Sequence, residues 1–303
     1  MKKTKQLKKW IPIYILGMPG ILYLLINNYM PLYGLLIAFK NYNYKLGIWD
    51  SPFVGFKNFE YLFKTKDAWI ITRNTIGYNL LFILLNTILG IALAIFLNEV
   101  RKKVSKKIYQ TAILLPYLMS MVVVSYLAYV FLGEKTGIIN HLLRSLGMQE
   151  IKFYMTKTYW PWILTFVNEW RNIGYGTIIF LASIVGFGDS YYEAAELDGA
   201  SKWQQIKGIT VPLLKPTIIM LVTMGMGNIF RSDFGLFYQV PRNQGMLYSV
   251  TNTIDTYVYR ALLQNGNIAL SSAAAFYQSI VCFITIMIFN GVVNKYSKED
   301  ALF

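Results

Sequence analysis

Three carboxylates fall within a single six-residue stretch, at Glu193, Glu196 and Asp198. Close acids of this kind are what general acid–base work or a hard metal ion would use. Nothing around them completes either chemistry. The sole histidine, His141, and the sole cysteine, Cys282, are remote in sequence, so there is no His–acid pair, no thiolate set and no disulfide. The chain also has no G-x-x-x-x-G-K-[ST] phosphate loop. The expectation is a non-catalytic chain with no metal and no cofactor of its own. A second group of charges is more unusual. Glu169, Arg171, Arg231 and Asp233 each interrupt an otherwise apolar run. A charge at the bilayer centre costs about 2.5–3.5 kcal/mol on insertion scales, so such residues are functional candidates by default.

The elements that carry these residues follow from composition. Hydrophobic residues make up 55% of the 303 and charged ones 15%, against about 25% charged in a soluble domain. That is too little charge to coat a soluble exterior, and lipid is the better solvent. Windows free of charge run over 10–39, 74–98, 108–133 and 261–294, the last continuously apolar from about Ser271. Two more, 159–185 and 217–240, contain the four embedded charges. The expected fold is an all-α integral membrane protein with six transmembrane helices, or five if one imperfect segment is peripheral. The first window is longer than a signal core and ends in no A-x-A site, so it reads as an uncleaved span.

The net charge of +14 does not point to nucleic acid. Its basic residues flank apolar spans, at Lys2, Lys3, Lys5, Lys8 and Lys9 and again at Arg101, Lys102, Lys103, Lys106 and Lys107. Clusters of this kind mark cytoplasmic ends. Both termini and the loop 186–215 are thus expected in the cytoplasm, and the loops near 40–73, 134–158 and 241–270 outside. No repeat or linker divides the chain, so residues 1–303 read as one transmembrane domain with a cytoplasmic loop.

That loop contains D-S-Y-Y-E-A-A-E-L-D-G-A-S-K-W-Q-Q-I-K-G-I-T-V-P-L-L-K-P, from Asp189 to Pro216. Ser190 and Glu193 have capping-box spacing, which predicts a short helix over 191–198. Gly199 permits a helix-ending turn. Ser201 and Gln204 repeat the capping pattern and begin a second short helix, with Pro212 and Pro216 expected to stop it. The small residues Ala194, Ala195 and Ala200 allow close approach by another molecule. On residue chemistry alone, a docking element and an ordinary surface helix pair both fit.

E-A-A-x-x-D-G-A followed by I-x-V-P resembles the EAA loop of binding-protein-dependent ABC importer permeases. The match falls on Glu193, Ala194, Ala195, Asp198, Gly199, Ala200, Ile209, Val211 and Pro212, with Val211 where leucine is commoner. Further stretches resemble the LplB-like subgroup of oligosaccharide and polysaccharide importers: 30–40, 53–59, 169–182 and I-D-T-Y-V-Y-R over 254–260. Arg171 follows Trp170 where that subgroup usually has lysine. The resemblance covers nearly the whole chain. It implies a type I ABC importer permease fold in a bacterial cell membrane. It implies that the EAA residues dock on an ATPase, which binds ATP and magnesium in place of this chain. The implied partners are a second related permease, two ATPase subunits, an extracytoplasmic solute-binding protein and a glycan solute.

The embedded polar residues carry two open readings. Glu169 or Arg171 is expected to pair with Arg231 or Asp233 across the fourth and fifth spans, either lining a solute path or fixing helix packing. Asn168, Asn172 and Asn228 can offer sugar hydroxyls both donors and acceptors, or bond between helices. Tyr159, Trp160 and Trp162 fit an interfacial aromatic belt. Trp170, deeper in the span, is the aromatic candidate for solute contact. A secondary transporter would call for inverted repeats, and a membrane enzyme for a clustered acid–base or metal site. Neither is found.

Overall fold

A computed structural model describes residues 2–301, without the side chains of 2–9, 264, 265 and 300. The basic side chains of Lys2, Lys3, Lys5, Lys8 and Lys9, expected at the cytoplasmic face, lie outside the described residues. Where lipid offers no hydrogen bonds, backbone groups must pair within their own segment, and helices do this. Among the described residues there are helices and turns, two isolated antiparallel bridges (Lys40 with Phe53, Asn43 with Gly47) and no strand.

The first apolar run forms α1 (Lys2–Leu24) and continues through a π-helical turn, Leu25–Tyr29, into a 3-10 segment, Met30–Phe39. Then come α2 (Lys66–Glu99), α3 (Lys103–Leu114), α4 (Met121–Leu132), α5 (Ile138–Ser145) and α6 (Trp160–Val185). The loop that follows carries α7 (Asp189–Leu197) and α8 (Lys202–Gln205), before α9 (Lys215–Met226), α10 (Ile254–Asn265) and α11 (Ile268–Tyr296). Three stretches, Trp10–Phe39, Lys66–Glu99 and Ile268–Tyr296, are long and apolar enough to cross a membrane. Three bent helix pairs raise the count to six if each is one span.

Two apolar windows read as straight spans are broken. The run expected over 108–133 bends by 98° between Lys103–Leu118 and Met121–Leu132. Pro116 lies in a short 3-10 turn there, Leu115–Leu118, and the Ser120 hydroxyl accepts from the Val123 amide at 3.4 Å to cap the new helix. The run expected over 217–240 is helical only to Met226, and Gly235–Gln239 then forms a π-helical turn. Arg231 and Asp233 therefore lie in an unwound stretch between helical segments.

The chain divides into two compact units, Met1–Thr65 with Val258–Tyr277, and Lys66–Tyr257 with Gln278–Phe303. In the first, the Phe39 ring meets Phe53, Phe56, Phe59 and Phe276 beside the small residues Ala38, Ala273 and Ala274. In the second, α2 and α6 pack side by side. Phe180 lies against Gly90, where a Cβ would come within 3.3 Å of its ring. A Cβ on Gly174 would overlap the Ile113 carbonyl of α3. Small residues let helix backbones meet this closely where lipid provides no hydrophobic drive for association. One core gathers Tyr78, Phe82, Val124, Trp160, Leu164, Leu236 and Phe237, and another Ala94, Leu97, Phe180, Leu181, Ile184 and Leu214.

The unwound stretch is held by side chains from its neighbours. Asn79 of α2 donates to the carbonyls of Ile229 and Arg231 at 2.8 and 2.6 Å. Gln278 of α11 donates to the Phe230 carbonyl at 2.8 Å. The Asp255 carboxylate accepts from the Ser232 amide at 2.7 Å and from its hydroxyl at 2.8 Å. Backbone freed from a helix is tolerated at membrane depth when such groups re-satisfy it.

Candidate functional site

The loop 186–215 presents two short helices joined by a tight turn. α7 starts two residues earlier than the capping-box reading: Gly188 is its N-cap, with no side-chain cap, so Ser190 lies inside the helix. Asp189 takes the first turn, where a negative charge suits the helix dipole. The helix ends as expected. Gly199 has φ +77°, the Gly199 amide bonds the Glu196 carbonyl at 3.0 Å and the Ala200 amide the Ala195 carbonyl at 2.8 Å. The second capping box is present: the Ser201 hydroxyl accepts from the Gln204 amide at 3.4 Å, and Gln204 Oε1 accepts from the Ser201 amide at 2.7 Å. Pro212 and Pro216 do not stop this helix. Each sits in the first turn of a following helical segment, where a missing N–H costs nothing.

Glu193, Ala194, Asp198 and Gly199 are exposed, and Ala195 and Ala200 are half-buried. Lys202 reaches Glu196 at 2.9 Å. That bond holds the Glu196 carboxyl below its usual range and raises the Lys202 ammonium. Two large apolar side chains of the loop are strongly exposed. Leu197 is 90% exposed and Trp203 71%. Sequence reasoning weighed the acids and alanines and missed these two. The readable signal was an apolar leucine and a tryptophan flanking a glycine turn in a polar loop.

The second region is a cavity of 550 Å³ bordered by α2, α6, α9 and the unwound stretch. Asn79, Asn86, Asn168, Asn172 and Asn228 line it, with Phe82, Phe180, Tyr117, Tyr175 and Arg231. The Tyr117 and Tyr175 rings are stacked, 5.3 Å apart at 17°. Behind the wall runs a polar chain. Asn86 and Asn168 donate to Glu169 Oε1 at 3.1 and 3.0 Å, and Asn172 donates to Asn168 Oδ1 at 3.0 Å. Glu169 is buried, and its Oε2 has no partner among the described residues.

The embedded charges pair in one of the expected combinations. Arg171 Nη1 lies 3.5 Å from Asp233 Oδ2. Glu169 does not meet Arg231; it is held by the two asparagines instead. Trp170 is not part of this cavity. Consecutive residues on a helix point to different sides, and Trp170 faces a separate apolar pocket with Leu127, Phe131, Trp162 and Phe166. Asn168, Asn228 and Arg231 are thus brought to one cavity, Glu169, Arg171 and Asp233 support it, and Trp170 is excluded.

Residues 86–298 match the model of the binding-protein-dependent transport system inner membrane component family. The chain belongs to this family of ABC importer permeases. It is a multi-pass cell-membrane protein that works with a solute-binding protein. It is 35% identical over 291 residues to protein LplB of Bacillus subtilis, covering 96% of this chain and 90% of that one. It is 34% identical to the polygalacturonan/rhamnogalacturonan transport system permease YteP of the same organism, covering 95% and 89%. The crystal structure of a bacterial ABC transporter that imports the acidic polysaccharide alginate contains a chain that superposes with TM-score 0.89. That chain is 30% identical, with 98% of this permease and all of that chain covered. A second structure of an alginate transporter, with a pentasaccharide-bound periplasmic protein, gives 0.87 at 30% identity, covering 97% and 98%.

Proposed function

We propose that this permease forms half of a saccharide translocation path and couples it to ATP hydrolysis by its partners. The single observation that carries the reading is the amide- and tyrosine-lined cavity beside the unwound stretch. Asn86, Asn168, Asn172 and Asn228 offer both donors and acceptors to hydroxyl groups. Asn79, whose two N–H groups are taken by the Ile229 and Arg231 carbonyls, offers an acceptor, and the stacked tyrosines offer a face for a pyranose ring. The relatives that carry polygalacturonan, rhamnogalacturonan or alginate support a polysaccharide-derived solute. The partners are a second permease, two ATPase subunits and an extracytoplasmic binding protein. The chain crosses the membrane six times as one domain with both termini in the cytoplasm. It carries no cofactor; ATP and magnesium belong to the ATPase.

Coupling works through the loop 186–215. Leu197 and Trp203 enter a cleft of the ATPase, with Glu193, Ala194, Ala195, Asp198, Gly199 and Ala200 shaping the surface around them. An ATPase can shift the permease between states only by binding one arrangement of this loop better than another. The test is uptake into proteoliposomes by the complete importer. Glu193→Lys with Gly199→Asp, and Leu197→Ala alone, should abolish or strongly reduce uptake and stimulated hydrolysis while the two permeases still co-purify. Normal transport by the double variant would remove the coupling role from this loop.

A further inference from the structure

Arg231 is the one charged residue among those lining the asparagine cavity. Its backbone is fixed, with the amide bonded to the Asn228 carbonyl at 2.9 Å and the carbonyl accepting from Asn79 at 2.6 Å. Among the described residues its guanidinium makes one hydrogen bond, of 3.4 Å from Nη2 to the Ser279 hydroxyl. Among the described residues it forms no ion pair. Three acids in the same unit could have neutralised it, and each is engaged elsewhere. Asp233 pairs with Arg171 and caps the Leu236 amide at 3.0 Å. Asp255 takes Ser232 and Gln278. Glu169 takes Asn86 and Asn168.

A path built for neutral sugars alone would gain nothing from an uncompensated cation at membrane depth, where charge is costly. We infer that Arg231 reads a carboxylate on the passing solute, so that the importer's saccharide is a uronate-containing oligosaccharide. This rests on the saccharide reading of the cavity and adds the charge of its ligand. A guanidinium offers a planar fork of donors that matches a carboxylate. With only one bond to Ser279, most of those donors remain for the ligand. A single cation suits one monoanion. A phosphate monoester carries about −1.5 to −2 at neutral pH, and would call for more than one. The amides and the Tyr117–Tyr175 stack meet the hydroxyls and ring faces of the same sugar.

The test uses the whole importer in proteoliposomes with its binding protein. The probes are trigalacturonate and trimannuronate, each beside its carboxyl-reduced neutral counterpart. Wild type should carry at least one uronate trisaccharide. Arg231→Gln should lower kcat/KM for it by about tenfold or more, and Arg231→Lys should recover part of the loss. A neutral counterpart that is carried should be insensitive to both changes. If Arg231→Gln carries the uronate as well as wild type, or if wild type carries only neutral saccharides, the inference is overturned and the saccharide reading stands. If Arg231→Gln and Arg231→Lys fail equally on acidic and neutral sugars, the arginine is structural and the inference is again overturned. If wild type carries no saccharide of either kind, the saccharide reading falls and takes this one with it.

Discussion

Arg171 and Asp233 approach to 3.5 Å, and the pair joins two places where the helical backbone is interrupted. Asp233 belongs to the unwound stretch after α9. Arg171 also sends Nε toward the Met119 carbonyl at 3.4 Å, beside the 98° bend between α3 and α4. Its guanidinium carbon lies 5.9 Å from the centre of the Tyr117 ring. One side chain on the continuous helix α6 thus braces both broken ones.

The bracing predicts unequal variants. The side chains are 19% and 36% exposed, so the pair falls between the surface and buried limits, and Asp233→Asn should cost about 1–3 kcal/mol. Arg171→Ala should cost more, because it also removes the bond to Met119 and the ring contact. Exchanging the two residues should recover only part of the loss, since an aspartate at position 171 cannot donate to the Met119 carbonyl. Thermal unfolding of the purified complex reads all three. Full recovery by the exchange would leave the pair as a simple charge contact.

Helix packing makes a second prediction. At Gly174 an added methyl would overlap the Ile113 carbonyl, which is backbone and cannot rotate away. Overpacking commonly costs about 1–3 kcal/mol, and more when backbone must move. Gly174→Ala should sharply reduce the yield of monodisperse permease. Gly176→Ala, two residues on, should be tolerated, because its nearest neighbour outside the helix is 3.9 Å away. Yield from size-exclusion chromatography compares the two.

How much of this was legible in the sequence depends on the kind of signal. Long charge-free windows located α2 and α11, and an apolar run interrupted only by Glu169 and Arg171 located α6, because burial in lipid imposes apolarity over a whole helix. The same signal could not reveal the breaks. Residues 119–121 carry no charge and 227–234 only Arg231 and Asp233 while their backbone unwinds, and the groups that satisfy it, Arg171 at Met119 and Asn79, Gln278 and Asp255 at 229–232, are remote in sequence. The turn at Gly199 and the cap at Ser201 were readable because their bonds are local. The pairing of Arg171 with Asp233 was among the expected combinations, but the choice between it and Glu169 with Arg231 needed three dimensions. The direction of Trp170 was lost for the same reason.

The coupling loop separates local folding from charge. The Ser201 capping box satisfies helix N–H groups, so Ser201→Ala should destabilise the α8 turn by about 1 kcal/mol. The Glu196–Lys202 bridge is exposed and contributes little to stability. Its pH dependence has two edges. Glu196 has a lowered folded pKa, so its contribution is present above the ordinary glutamate value and is lost as pH falls through the lowered one. Lys202 has a raised pKa, so its contribution is present below the ordinary lysine value and is lost as pH rises through the raised one. The bridge is intact throughout the neutral range. Lys202→Met should move the Glu196 titration, read by carboxyl carbon NMR, upward toward its ordinary value while transport at neutral pH persists. An unmoved titration would mean the bridge does not form in the membrane.

Glu169 offers the sharpest contrast between shape and hydrogen bonding. Its Oε1 accepts from Asn86 and Asn168, which line the cavity, while its buried Oε2 has no partner among the described residues. Glu169→Gln keeps an accepting oxygen and the side-chain shape, and removes any buried negative charge, so the complex should be at least as stable as wild type. Glu169→Ala removes the acceptor and leaves two amides to find new partners. A buried polar group left without a partner costs about 1–3 kcal/mol, so the alanine variant should unfold earlier. Because both asparagines face the cavity, their release should also weaken solute transport beyond what stability explains. Uptake by Glu169→Ala at a temperature where the complex is fully folded separates the two effects. Wild-type uptake there would confine Glu169 to packing. A loss there, with Glu169→Gln near wild type, would show that its accepting oxygen sets the orientation of the cavity amides.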